Sequence, residues 1–129
     1  MLKRSLEYAS DFDLPVLLQP MDSTWLGQAC AHDGEVATRL GLPAMPVCAE
    51  TAVIAQYLEV AREVDVAVHI GRISCARSVE MIAHAKQDHL RVTADVAIAH
   101  LFFSEHNTAD FNTRMHMNPP LRSLSLIHI

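Results

Sequence analysis

Three short runs of apolar, largely β-branched residues, separated by stretches of helical periodicity, constrain this chain more than any other feature. Leu14-Pro15-Val16-Leu17-Leu18, Val66-Ala67-Val68-His69-Ile70 and Arg91-Val92-Thr93-Ala94-Asp95-Val96-Ala97 read as strands. Ahead of the first run, Leu2, Leu6 and Ala9 recur at helical spacing. Between the first and second, Glu35 to Leu40 forms a short helical patch stopped by Gly41 and Pro43. Glu50 to Val64 then forms a longer amphipathic helix with Val53, Ile54, Tyr57, Leu58 and Ala61 on one side. Ser74 is a plausible N-cap for a further helix running to about Lys86. Strand, helix, strand, helix, strand is the pattern of a parallel sheet with crossover helices, so the chain is expected to be α/β.

Composition excludes several function classes. The net charge is −5 and the pI about 5.8, with no cluster of Lys and Arg on one face, so a nucleic-acid partner is not expected. Glu7, Asp11 and Asp13 interrupt any apolar core behind Met1-Leu2-Lys3-Arg4, and no apolar run approaches the ~20 residues that span a bilayer. A cytoplasmic protein without a membrane partner is expected. Cys30, Cys48 and Cys75 are odd in number, lack C-x-x-C spacing and sit among small apolar residues, which indicates buried thiols rather than a disulfide frame or a cysteine zinc site.

In parallel α/β enzymes the groups that do chemistry stand at the C-terminal ends of the strands. Here those ends carry Gln19-Pro20-Met21-Asp22 and Gly71-Arg72-Ile73-Ser74. Gln offers a weak carbonyl ligand, and Arg offers none, because its guanidinium has no acceptor and does not deprotonate. A unit cation about 4 Å from a divalent metal, at an effective dielectric near 20, is opposed by on the order of 8 kcal/mol. Unless Arg72 turns away, it excludes a metal.

Three blocks of the sequence resemble dihydroorotase, a family of the amidohydrolase superfamily. They are Gly34-Glu35-Val36 with Leu40-Gly41-Leu42-Pro43, then Val92-Thr93-Ala94-Asp95-Val96, then Asn118-Pro119-Pro120-Leu121-Arg122, the last being the most specific. The resemblance runs from about Leu2 to Ser123. It implies a fragment of a (β/α)8 TIM barrel of the metal-dependent hydrolase type, about the fifth to seventh strands with their helices, over residues 1–123. Residues 124–129 match what a transposase adapter used in sequencing libraries encodes when read through; they are read as a library scar and set aside.

In active dihydroorotases the resemblance places zinc-ligating histidines at the ends of the fifth and sixth strands, where this chain has Gln19 and Arg72. Those two positions are therefore read as lost ligands, with no metal and no cofactor expected and no catalytic residue assigned. Together with Cys30-Ala31-His32-Asp33-Gly34, this loss is most similar to the inactive dihydroorotase-like proteins associated with aspartate carbamoyltransferase. The resemblance implies a non-catalytic subunit with the aspartate carbamoyltransferase catalytic chain as its partner in pyrimidine biosynthesis. Asn118 matches a substrate-contacting asparagine of active relatives, and His100 stands where they often carry a histidine pair, so Asn118 and His100 are the candidate ligand contacts. The alternative is an active zinc dihydroorotase interconverting carbamoyl aspartate and dihydroorotate.

The remaining titratable residues have plainer expected roles. Alternation along the second strand sends His69 to the face opposite Arg72, in a packing or hydrogen-bonding role. His32 and Asp33, before Gly34, are read as a turn rather than a dyad, since adjacent side chains rarely point together. His84 and His89 are expected in solvent, and Glu7, Glu50 and Glu80 as solvated or capping carboxylates.

Overall fold

The structure, a computed structural model, describes residues 1–124, and of Leu26 only the backbone. The adapter-like tail thus lies outside the described residues from position 125 onward. Helix α1 (Leu2–Asp11) leads into β1 (Val16–Leu18), and α4 (Cys48–Val64) leads into β4 (Val68–Ile70). Helix α5 (Ala76–Gln87) then leads into β5 (Val92–Ala94). The three strands form one parallel sheet in the order β1-β4-β5. Each strand is shorter than the apolar run that announces it. Pro15 lacks an N–H for the ladder, and Val96 and Ala97 lie beyond the end of the β4-β5 pairing.

Register explains which face is buried. Val16, Val68 and Val92 stand side by side, as do Leu18, Ile70 and Ala94, and both rows face the helices. There they meet Leu6 of α1, Ile54, Leu58 and Ala61 of α4, and Ile82 and Ala85 of α5. Ile54 and Ile70 are fully buried, and each such side chain contributes about 1.5–3 kcal/mol of hydrophobic stabilisation. The intervening row, Leu17, His69 and Thr93, points away from the helices, and Leu17 is 76% exposed.

The excursion between β1 and α4 holds structure that has no periodic signal. A four-residue helix α2 (Ser23–Leu26) is capped by the Asp22 carboxylate. Two-residue strands β2 (Ala31–His32) and β3 (Ala44–Met45) then pair in parallel around α3 (Glu35–Leu40). Gly41 closes α3 in a left-handed conformation, as its position after the helical patch predicts. After β5 come the short helix α6 (Ala99–Phe102) and two 3₁₀ turns, Glu105–Thr108 and Thr113–Met115.

Three sequence expectations need correction. Ser74 is not the N-cap of α5: Cys75 holds that position, and the Ser74 hydroxyl is drawn to Glu50 instead. Glu50 is not solvated but 1% exposed, because a buried arginine faces it. The cysteines are unpaired as expected, yet only Cys75 is buried; Cys48 is exposed and Cys30 intermediate, since they flank the small β2-β3 sheet rather than the main core.

Candidate functional site

The C-terminal ends of β1, β4 and β5 meet at one rim, where a cavity of about 240 Å³ is bounded by Leu17, Leu18, Gln19, His69, Gly71, Arg72 and Asp95. The backbone builds this rim before any side chain acts. The Gly71 amide donates to the Leu18 carbonyl at 2.9 Å, the Asp95 amide to Ile70 at 3.2 Å, and the Ile73 amide to the Asp95 carbonyl at 3.0 Å. Pairing thus continues one step past the strands and fixes where the next side chains emerge.

Arg72 leaves the strand with φ +55°, a left-handed conformation costing a non-glycine residue roughly 1–2 kcal/mol. Asp95 offsets part of that cost, its Oδ1 accepting from the Arg72 amide at 2.9 Å. Its other oxygen, Oδ2, lies 2.8 Å from His69 Nε2, and His69 Nδ1 lies 2.8 Å from Thr93 Oγ1. The hydrogen bonds from His69 and from the Arg72 amide hold the Asp95 carboxyl below its ordinary pKa. The expected hydrogen-bonding role of His69 is therefore found. The left-handed turn at Arg72 ends the period-two pattern, and it is the Arg72 backbone amide, not its guanidinium, that shares the carboxylate with His69.

The Arg72 guanidinium donates through Nη1 to the Asn118 carbonyl at 3.2 Å. Asn118 precedes a cis peptide bond to Pro119 and meets the rim through its backbone. His100 lies elsewhere. It is 2% exposed, its Nε2 is 3.3 Å from the Pro120 carbonyl, and it lines a second cavity of about 210 Å³ with Ile73, Ser74, Cys75 and Leu101, to which Asp95 of the rim also contributes. Of the two candidate ligand contacts, Asn118 is bonded to Arg72 and His100 to the Pro120 carbonyl. Burial pushes the His100 pKa down.

These strand ends do not fit zinc. Arg72 has no lone pair to offer, both ring nitrogens of His69 are engaged, and Gln19 can supply only an amide oxygen. Among the described residues no three His, Cys, Asp or Glu side chains gather as a metal site.

Beneath the rim runs a buried polar network that local sequence patterns do not reveal. Arg122 is fully buried; its Nε donates to Ser74 Oγ at 3.0 Å, and its Nη1 to the Met45 carbonyl at 3.0 Å and to His32 Nδ1 at 3.1 Å. Its Nη2 sits 3.5 Å from Glu50 Oε2. Glu50 accepts from the Ser74 amide at 2.9 Å, from Ser78 Oγ at 2.5 Å and from the Ser74 hydroxyl. Desolvation pulls the Arg122 pKa down while Glu50 pushes it back up. Burial, then the neighbouring guanidinium, hold His32 below its ordinary pKa, so His32 serves as a neutral acceptor. His32, expected in a turn with Asp33, instead ends β2, and its ring is bonded by Arg122. Among the described residues, no helix is long and apolar enough to cross a membrane.

No protein-family model matches the chain. Among curated proteins it is 38% identical to a dihydroorotase-like protein of Pseudomonas putida over 122 residues, covering 95% of this chain and 29% of that protein. It is 42% identical to a dihydroorotase of Pediococcus pentosaceus over 111 residues, 86% of this chain and 26% of the relative. The chain therefore spans under a third of the length of these relatives. Among solved structures it superposes on an L-hydantoinase from Arthrobacter aurescens with a TM-score of 0.81 at 15% identity, and on a D-hydantoinase from Thermus sp. with a TM-score of 0.76 at 13% identity. In both cases it covers 98% of itself and 29% of the other chain. At that identity the likeness speaks for fold alone, and the fold is part of a TIM barrel, as the resemblance implies. The assignment rests on sequence, 38% identity across 95% of the chain: this chain belongs to the dihydroorotase family.

Proposed function

We propose that the chain is a segment of a non-catalytic dihydroorotase-like subunit that supports aspartate carbamoyltransferase in pyrimidine biosynthesis, in the cytoplasm. The observation that carries this reading is Arg72. A guanidinium stands at the end of β4, its backbone held by Asp95 and its side chain tied to the Asn118 carbonyl. Barrel chemistry depends on strand-end groups, and a cation there opposes a divalent metal. The buried frame around Glu50 and Arg122 supports a scaffold that does not depend on a metal.

The test uses the protein expressed from its full reading frame. Metal content by plasma mass spectrometry, turnover of carbamoyl aspartate, and co-purification with the aspartate carbamoyltransferase catalytic chain are measured on one preparation. Metal-free, inactive protein that co-purifies supports the reading. Stoichiometric zinc with turnover supports the second reading, an active dihydroorotase, which is favoured by Asn118 lying beside the rim and by the 42% identity to the Pediococcus protein.

A further inference from the structure

Gly34 and Glu105 meet in a crowded spot that backbone conformation does not explain. Gly34 precedes α3 with φ −157° and ψ −168°, an extended conformation open to any residue, so its glycine answers to space rather than to backbone freedom. A Cβ there would stand 2.6 Å from Glu105 Oε2, inside van der Waals contact, and 3.0 Å from His32 Cδ2. The backbone delivers Glu105 to this spot: its amide donates to the Arg122 carbonyl at 2.9 Å, and its carbonyl accepts from Thr108 Oγ1 at 2.6 Å. Glu105 and His32 are 5% and 6% exposed, and both line a cavity of about 10 Å³ walled largely by Ala31, Val36, Ala37, Met115 and Leu121. Glu105 Oε2 is buried with no protein partner among the described residues. We propose that this cavity is the binding site of one water molecule, held between Glu105 Oε2 and His32 Nε2.

Burial within a segment only deepens when the rest of a protein is added, so this site, unlike the rim, is already closed. Hydrogen-bond roles select the occupant. The Arg122 guanidinium can only donate, so His32 Nδ1 accepts from its Nη1 at 3.1 Å, and the proton of the neutral ring stands on Nε2. Cδ2 adjoins Nε2 in the ring, so this is the edge turned to Gly34 and Glu105. The ring N–H needs an acceptor and the carboxylate oxygen needs a donor; a water supplies both from one atom. A volume of about 10 Å³ is near the lower limit for one water and admits nothing larger. Ammonium has no acceptor to offer, and a metal cation would find one carboxylate among apolar walls, with the Arg122 guanidinium on the far side of His32. The water extends the Glu50-Arg122 network through His32 to Glu105, and so ties the Glu105–Thr108 turn to β2. None of this depends on whether a metal sits at the strand ends.

The experiment is a crystal structure of the full-reading-frame protein beside those of Gly34→Ala and Glu105→Leu, with nitrogen NMR spectra of His32 identified by their loss in His32→Gln. Density for one water within about 3.2 Å of both Glu105 Oε2 and His32 Nε2 is expected in the unsubstituted protein. In solution the His32 proton should sit on Nε2. Gly34→Ala should push the carboxylate aside, since only the end of a flexible side chain has to move, and the water should leave with it. Glu105→Leu should be dry as well, because an apolar site of this size does not hold water. A direct His32–Glu105 hydrogen bond, a dry cavity in the unsubstituted protein, a density peak that follows the sodium or ammonium content of the crystal, or a proton on Nδ1 overturns the proposal. Water retained in Glu105→Leu overturns it too. Should neither variant fold, the unsubstituted crystal and the spectra still decide. Zinc at the strand ends defeats the non-catalytic reading and leaves this one standing.

Discussion

Replacing Arg122 with methionine should destabilise the protein far more than removing its hydrogen bonds one by one suggests. Methionine approximates the buried stem in volume, so the cavity left behind is small and the change is chiefly electrostatic. What it leaves is Glu50, 1% exposed, with its carboxylate still accepting from the Ser74 amide and Ser78 hydroxyl but without a counter-cation. The Met45 carbonyl and His32 Nδ1 lose their donor as well. Removing one partner of a buried pair costs about 3–5 kcal/mol, and Glu50→Gln should cost a comparable amount by stranding Arg122. The double variant removes both charges while the glutamine carbonyl still accepts from Ser74. Its loss should fall short of the sum of the single losses by about 2 kcal/mol or more. Urea denaturation of the full-reading-frame protein measures all four corners of the cycle. Single losses below about 1 kcal/mol, or additive ones, refute the account, since the two side chains would then not be acting as a buried ion pair.

Stability should fall with acidification. Burial holds both His32 and His100 below the ordinary histidine value of 6.5, so the unfolded chain takes up protons that the folded chain refuses. Stability is then full above that unfolded value and declines as pH drops through it toward the folded values; thermal midpoints flat from pH 7.5 to pH 5 would contradict this. Arg72→Gly should be neutral or stabilising by up to about 1 kcal/mol, because relief of the left-handed strain outweighs one exposed hydrogen bond, and chemical denaturation checks it. Cys75 is 4% exposed and its pKa is raised by burial and by Glu50, so in the native protein a thiol reagent should modify Cys48 well before Cys75. Peptide mapping that finds Cys75 modified first would overturn that order.

The parts of this fold legible in the sequence are those with local signatures. The β-branched runs and the three-four spacing of α4 announce strands and helix because periodicity is a short-range property. The positions of Gln19 and Arg72 at strand ends follow from the same pattern. Glu50 was unreadable for the opposite reason. A carboxylate near the start of a helix looks solvated from its neighbours, and the residue that buries it, Arg122, stands 72 positions away. Strands of two residues, such as β2 and β3, are too short to show alternation. Alternation along β4 holds only while backbone angles stay extended, and Arg72 departs from them.

The buried network and the rim share no side chain. Glu50, Arg122, Ser74, Ser78 and His32 fasten the turn before α5, the β2-β3 excursion and the Pro-Pro segment together, while Gln19, His69, Arg72 and Asp95 occupy the opening above. Because these are separate residues, substitution of a rim side chain leaves the side-chain bonds of the network in place. Drift at the rim can erase or rewrite what the opening binds while the fastening keeps the scaffold in shape for whatever it leans against. Such a division would let the opening change its chemistry while the body that carries it stays the same.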